Sequence, residues 1–406
     1  MTDIRRRCVF YISGFDPKGA KSYYNLYKQE ATKQSQINGW QFDVGARQLM
    51  PEGNSFWTIE SSQGCSYQVS THYEFMRWDD VVRNNWPMHT LSIWWDVFTA
   101  TLFNLRHGSW WKMFKLSWPP AVALFAPFVV LMLMLFGAPM FAVILGKGVV
   151  TALHWPVWAG GLFSLLTLAL LLTAVRYSQS RFSMHWITRS YAFTARQAEG
   201  SVPELEARLD AQAHRLVERI IQSQDDEILI VAHSTGTIMA VCILSRAANL
   251  LMGKVPVNRA LQVKLSFMSL GQCIPLLACL PQANKFRSEL SMLGQIDMID
   301  WIDFSAPPDG CCFAMCDPLA MTRQRPYRAP KLLSPKFADM FGPAKYRTIR
   351  KDKFRMHFQY LMASERLVAY DFFLITAANL SLAERYKHAA SVNDFTGLRP
   401  FNSVSR

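Results

Sequence analysis

The segment Ile230-Val-Ala-His-Ser-Thr-Gly-Thr237 holds a serine with a small residue two positions to either side. It is a variant of the G-x-S-x-G pattern in which Ala232 takes the place of the first glycine. A continuous apolar run, Ile228 to Ala232, leads into it, and a helical pattern from about Thr235 to Met252, stopped by Gly253, leads out. A strand that passes straight into a helix forces the residue at the turn into strained backbone geometry, and Ala232 and Gly236 are small enough to let the two elements approach. Ser234 is therefore expected to stand clear of the sheet as a nucleophile. The Thr235 N–H, at the positive end of the following helix, is the expected donor to a developing oxyanion. Other chemistries lack a motif, since the chain has no G-x-x-x-x-G-K-[ST], no G-x-G-x-x-G and no H-E-x-x-H. Cys311, Cys312 and Cys316 lie close together without zinc spacing, so neither a metal nor a cofactor is expected.

Through Val231-Ala-His-Ser-Thr-Gly236 the sequence resembles the α/β-hydrolase superfamily, specifically its lipase- and esterase-like serine hydrolases. The resemblance implies the chain order nucleophile, acid, histidine, with His233 as a packing residue of the elbow. For the acid it points to the loop after a later strand, which Ile299-Asp-Trp-Ile-Asp-Phe-Ser-Ala-Pro-Pro-Asp309 supplies. Asp309 is the choice, with Asp303, inside the strand, and Asp317, in a following loop, as alternatives. Only His357 and His388 lie beyond the acid. His357 sits in Phe354-Arg-Met-His-Phe-Gln-Tyr-Leu361, similar to the H-x-x-Y segment of lipase-like relatives, whereas His388 reads as a solvated histidine near the polar tail. The rest of the oxyanion hole would come from the loop after an early strand. Tyr11-Ile-Ser-Gly-Phe-Asp-Pro-Lys18 fits, with Gly14 permitting close approach and the Phe15 N–H donating; the same residues also read as a plain turn into a helix over Tyr23 to Thr32.

These residues need a scaffold, and short apolar runs alternating with helical ones point to an α/β fold with a mainly parallel sheet flanked by helices. Cys8 to Ile12 reads as a buried first strand, too short for a signal-peptide core. Ser201-Val-Pro-Glu204 reads as a capping box for a helix running to about Gln224, and Val263 to Phe267 and Met298 to Phe304 as strands. The expected organisation is residues 1–115 as the first part of a hydrolase-like domain, 116–176 as a transmembrane hairpin, 177–390 as the second part with the nucleophile, and 391–406 as a tail.

The hairpin follows from a local absence of charge. Of 406 residues, 18% are charged, against roughly 25% in soluble domains, and Lys147 is the only formal charge from Leu116 to Val175. Pro119 to Leu145 and Trp155 to Val175 are each long enough to cross a bilayer, with a turn expected around Gly146, Lys147 and Gly148 and near His154. Arg106, Lys112 and Lys115 precede the pair and Arg176, Arg181 and Arg189 follow it, which places the flanks, both termini and the catalytic domain in the cytoplasm of an inner-membrane protein. Trp110, Trp111, Trp118, Trp155, Trp158 and Trp186 suit an interfacial belt. The net charge of +13 is partly concentrated between Arg323 and Arg355, where 11 Lys or Arg face Asp339 and Asp352. Next to a membrane hairpin, such a segment suits anionic lipid head groups rather than nucleic acid, and its aromatics suit a lid. The expected protein is a membrane-anchored serine hydrolase acting on an ester, thioester or lipid. A non-catalytic membrane scaffold that keeps the fold, and an acyltransferase, are the alternatives.

Overall fold

The computed structural model describes residues 3–64, 67–87, 89–181, 184–254, 263–322 and 326–392. Its centre is a mixed sheet of β1 (Arg6–Ile12), β2 (Gln41–Val44), β3 (Gln48–Leu49), β4 (Ser55–Gln63), β5 (Tyr67–Phe75), β6 (Glu227–His233), β7 (Lys264–Leu270), β8 (Ile299–Phe304) and β9 (Lys331–Leu333). The strand order is β2-β4-β5-β1-β6-β7-β8-β9, with β3 on β4. All pairs from β5 through β9 are parallel, whereas β2, β3 and β4 join the β5 side antiparallel. This meander is absent from the sequence reading, as is β9.

Every residue of β6 is buried because both faces are covered. Ile228, Ile230 and Ala232 face one core with the Pro203–Gln222 and Gly236–Lys254 helices, and Leu229 and Val231 face the other with the Ala20–Asn38 helix. The N-terminal ends of β1 and β6 are tied by a buried ion pair, Arg7 Nε to Glu227 Oε2 at 2.8 Å. Its remaining polar atoms are satisfied, since Arg7 also donates to the Ala378 and Leu380 carbonyls and Glu227 accepts from Ser266 Oγ and the Leu382 amide. That end of the sheet is fixed; the carboxyl ends of β1, β7 and β8 open into loops, and that of β6 into the turn at Ser234.

The Ser201 capping box does not form. Pro203, with its fixed φ, occupies the first turn instead, so Val202 is the N-cap without a side-chain bond, and Glu204 accepts from Asn85.

Two helices, Trp118–Leu153 and Val157–Ala174, are long and apolar enough to cross a membrane, with only 11% and 6% of their apolar windows buried. They follow the expected hairpin but turn later than the sequence suggests. Gly146 and Gly148 lie inside the first helix, and His154, with φ of 55°, ends it. Gly146 serves helix contact rather than a turn: a Cβ there would lie 2.0 Å from Ser164 Oγ and 2.5 Å from the Gly160 carbonyl. A π-turn at Leu133–Gly137 precedes Pro139 and keeps the helix continuous past a residue that cannot donate. From Leu124 to Lys147 the rise is ~34 Å, close to the thickness of a bilayer's hydrocarbon.

Trp111, Trp118, Trp155 and Trp158 are exposed at the helix ends. Trp186 departs from the expected belt: it packs on Phe354 and Phe358 and donates its indole N–H to the Phe15 carbonyl. The 116–176 boundary also cuts the core, because Leu116, Ala121 and Leu124 join the cluster that holds Phe15 and Phe193.

Candidate active site

Ser234 lies immediately after β6 and, with Thr235, forms the turn into the Gly236–Lys254 helix; its φ of 59° puts a non-glycine residue in the left-handed region. Its amide donates to the Leu270 carbonyl (2.9 Å), and its own carbonyl accepts from the Thr237 amide and hydroxyl. Close approach to β1 explains the neighbouring glycines. A Cβ on Gly236 would lie 2.5 Å from the Ser13 carbonyl and 2.6 Å from that of Ile12, and a Cβ on Gly14 would lie 2.9 Å from Ser234 Cβ. Ala232 is fully buried below the turn.

Of the three acids, Asp309 reaches the histidine: His357 Nδ1 lies 2.9 Å from Asp309 Oδ2. Asp309 Oδ1 accepts the Cys311 amide (3.0 Å), and Oδ2 also accepts from Tyr360 (3.2 Å), whose hydroxyl in turn accepts the Ala306 amide (2.9 Å). Burial acts to raise the Asp309 pKa, but attraction to His357 and hydrogen bonds from His357, Cys311 and Cys312 outweigh it and hold the carboxyl below its ordinary range. An ionised Asp309 makes Nδ1 the protonated nitrogen of a neutral His357 ring, which leaves Nε2 as an acceptor. Asp303 instead accepts from Ser269 and Ser305 inside the sheet, and Asp317 caps the Leu319 amide in its own turn. His388 is exposed.

His233 does more than fill space. Its Nε2 lies 2.9 Å from the His357 carbonyl, which can only accept, so His233 carries its proton there and pins the backbone of His357. Burial, reinforced by repulsion from His357, pushes the His233 pKa from its ordinary 6.5 down to about 3.

Ser234, His233 and His357 line one cavity together with Phe15, Thr235 and Phe354. The Ser234 hydroxyl also lies 3.9 Å from Cys273 Sγ, a thiol that burial pushes up to about 12. The Phe15 amide is a correction to the expected oxyanion hole: it donates to Thr235 Oγ1 at 2.8 Å. Thr235 thus accepts from Phe15 and keeps its own O–H for donation, while its amide has no acceptor among the described residues. Asp16 and Tyr23 also line the cavity, joined at 2.9 Å, and no motif announced them; burial raises the Asp16 carboxyl.

Asp309, Cys311 and His357 bring one ligand atom each within 4.8 Å of one another. Burial, with Asp309 nearby, keeps the Cys311 thiol protonated, and the Asp309 and His357 atoms already satisfy each other, so the donor set fits an oriented imidazole better than a metal. Of the basic segment, Lys331 donates to the Tyr386 carbonyl, Arg328 pairs with Asp300 and Lys345 with Glu365. Its last part, the Lys353–Phe358 helix, forms a wall of the cavity.

The fold and site define an α/β protein with a strained serine at a strand-to-helix turn and a buried acid–imidazole pair beside the same cavity. No protein-family model, curated protein or solved structure matches the chain.

Proposed function

We propose that the chain is a membrane-anchored serine hydrolase of the α/β-hydrolase type, cleaving an ester or thioester through an acyl-enzyme. The observation that carries this reading is the 2.9 Å Asp309–His357 contact beside a cavity that also holds Ser234 in left-handed geometry. Ser234 Oγ attacks the substrate carbonyl carbon while His357 Nε2 takes its proton, and Asp309 stabilises the imidazolium that forms. The oxyanion is met by the Thr235 amide and by the hydroxyl of Thr235, which the Phe15 amide orients. His357 then protonates the leaving group, and water, activated by the same imidazole, releases the acid. An alcohol at this step would make the reaction acyl transfer, with the same intermediate. The two apolar helices cross the membrane in this reading, with the basic flanks and both termini on the cytoplasmic side.

Turnover of p-nitrophenyl butyrate by the detergent-solubilised full chain tests the reading. Ser234→Ala should lose turnover by about three orders of magnitude or more while keeping its thermal transition. Activity that survives in a folded Ser234→Ala protein would exclude it.

A further inference from the structure

One wall of the cavity is built by Pro120, Ala123 and Leu124, the first turns of the Trp118–Leu153 helix. This helix is 36 residues long, roughly 54 Å, well beyond the ~30 Å that a hydrocarbon core requires. Part of its surplus lies at the root. There Ala121 is fully buried, its carbonyl accepts from Trp110 Nε1 at 2.9 Å, and Leu124 packs in the core with Phe15. Beyond Leu124 the same helix shows Val129, Leu133 and Phe136 outward.

A second element marks the level of the interface. The Thr90–Arg106 helix leaves Leu91 83% and Trp95 66% exposed, with Leu102 on the same stripe, and joins the hairpin through Phe98 on Phe128, ring centres 6.3 Å apart. A stripe of large apolar side chains in water is a liability for a soluble protein, whereas beside a spanning helix it suits the headgroup boundary. The root of the first spanning helix thus borders the cavity, and the stripe meets the same helix about one turn further on, at Phe128.

We infer that the substrate is a lipid ester resident in the bilayer, whose acyl chain reaches Ser234 sideways along the Pro120–Leu124 face without passing through water. The inference rests on the hydrolase reading and adds the substrate class. The spanning helix is then part of the binding site as well as an anchor. Attack, proton transfer and release are those given above, with a fatty acid and the remaining alcohol as products.

The test uses the full chain in phosphatidylcholine vesicles carrying p-nitrophenyl palmitate, with water-soluble p-nitrophenyl acetate assayed in parallel. Ala123→Trp should fill the passage and lower the ratio of palmitate to acetate turnover by about tenfold or more. Ala123→Leu, a milder filling, should lower it less, and it answers the question if the Trp variant does not fold. Leu165→Trp, on the exposed face of the second helix, should leave the ratio unchanged. An unchanged ratio in both Ala123 variants, with Ser234 still reactive to a fluorophosphonate, overturns lateral entry and leaves the hydrolase reading standing. Absence of both turnover and labelling in the wild type overturns the hydrolase reading itself.

Discussion

His233 links acid sensitivity to the position of His357. In the folded chain it stays neutral down to about pH 3, while the unfolded imidazole takes a proton below its ordinary 6.5. Between those values the unfolded state holds one more proton, so acid favours unfolding and stability rises with pH. The slope is about 1.4 kcal/mol per pH unit over that window, which makes the loss at pH 5 about 2 kcal/mol relative to pH 7.5. A loss of that size should lower the thermal midpoint by several degrees, roughly 4 to 8 °C by the scaling for domains of 150 to 250 residues and less for a longer chain. His233→Gln is the control: its Nε2 amide, placed like the imidazole Nε2, can still donate to the His357 carbonyl, but it does not titrate. Thermal midpoints of both proteins in one detergent from pH 4 to 8 isolate the effect, because other titrating groups are shared. The wild type should lose stability relative to His233→Gln as the pH falls below 6.5. If the difference is flat from pH 4 to 7, His233 is not held neutral by burial.

Asp309→Asn should cost roughly three to four orders of magnitude in turnover with little change in substrate affinity, whereas Asp303→Asn should lower the unfolding midpoint first; near-normal turnover in Asp309→Asn, with loss in a folded Asp317→Asn, would reverse the assignment. Gly236→Ala should push β1 from β6, because both clashing atoms are backbone carbonyls, and destabilise by about 1 to 3 kcal/mol in chemical denaturation; an unshifted denaturation midpoint would contradict the clash. Gly146→Leu should separate the two apolar helices and lower the midpoint in detergent, and Gly148→Leu, where a Cβ meets nothing within 4 Å, should not. Equal effects at the two glycines would remove the packing role given to Gly146.

What the sequence revealed depended on how uniform each residue's surroundings are. β6 was legible because burial on both faces writes a continuous apolar run, and Ser234 because the turn demands small neighbours. The antiparallel strands were not: β4 alternates buried Trp57, Ile59 and Ser61 with outward Thr58 and Glu60, a pattern that polar residues dilute. Gly146 misled because glycine marks both turns and close helix contacts, and only the partner helix, with Gly160 and Ser164, distinguishes them. The pairing of Asp309 with His357 came from a resemblance in chain order, with Tyr360 foreshadowed by the H-x-x-Y spacing. The hydrogen bond from Phe15 to Thr235 joins residues 220 positions apart and has no local signature. Lys353 and Phe354 were visible as part of a basic, aromatic segment, but their place in the cavity wall depends on a helix of six residues packed by tertiary contacts.

The proposed mechanism turns on Ser234 as a nucleophile activated by His357. Treatment of the full chain in detergent with a fluorophosphonate, followed by mass spectrometry of the modified peptide, addresses it without knowledge of the substrate. The expected result is a single adduct on Ser234, absent from Ser234→Ala and formed much more slowly in His357→Ala and Asp309→Asn. A folded wild type that takes no label, or takes it at the same rate in His357→Ala, would contradict it.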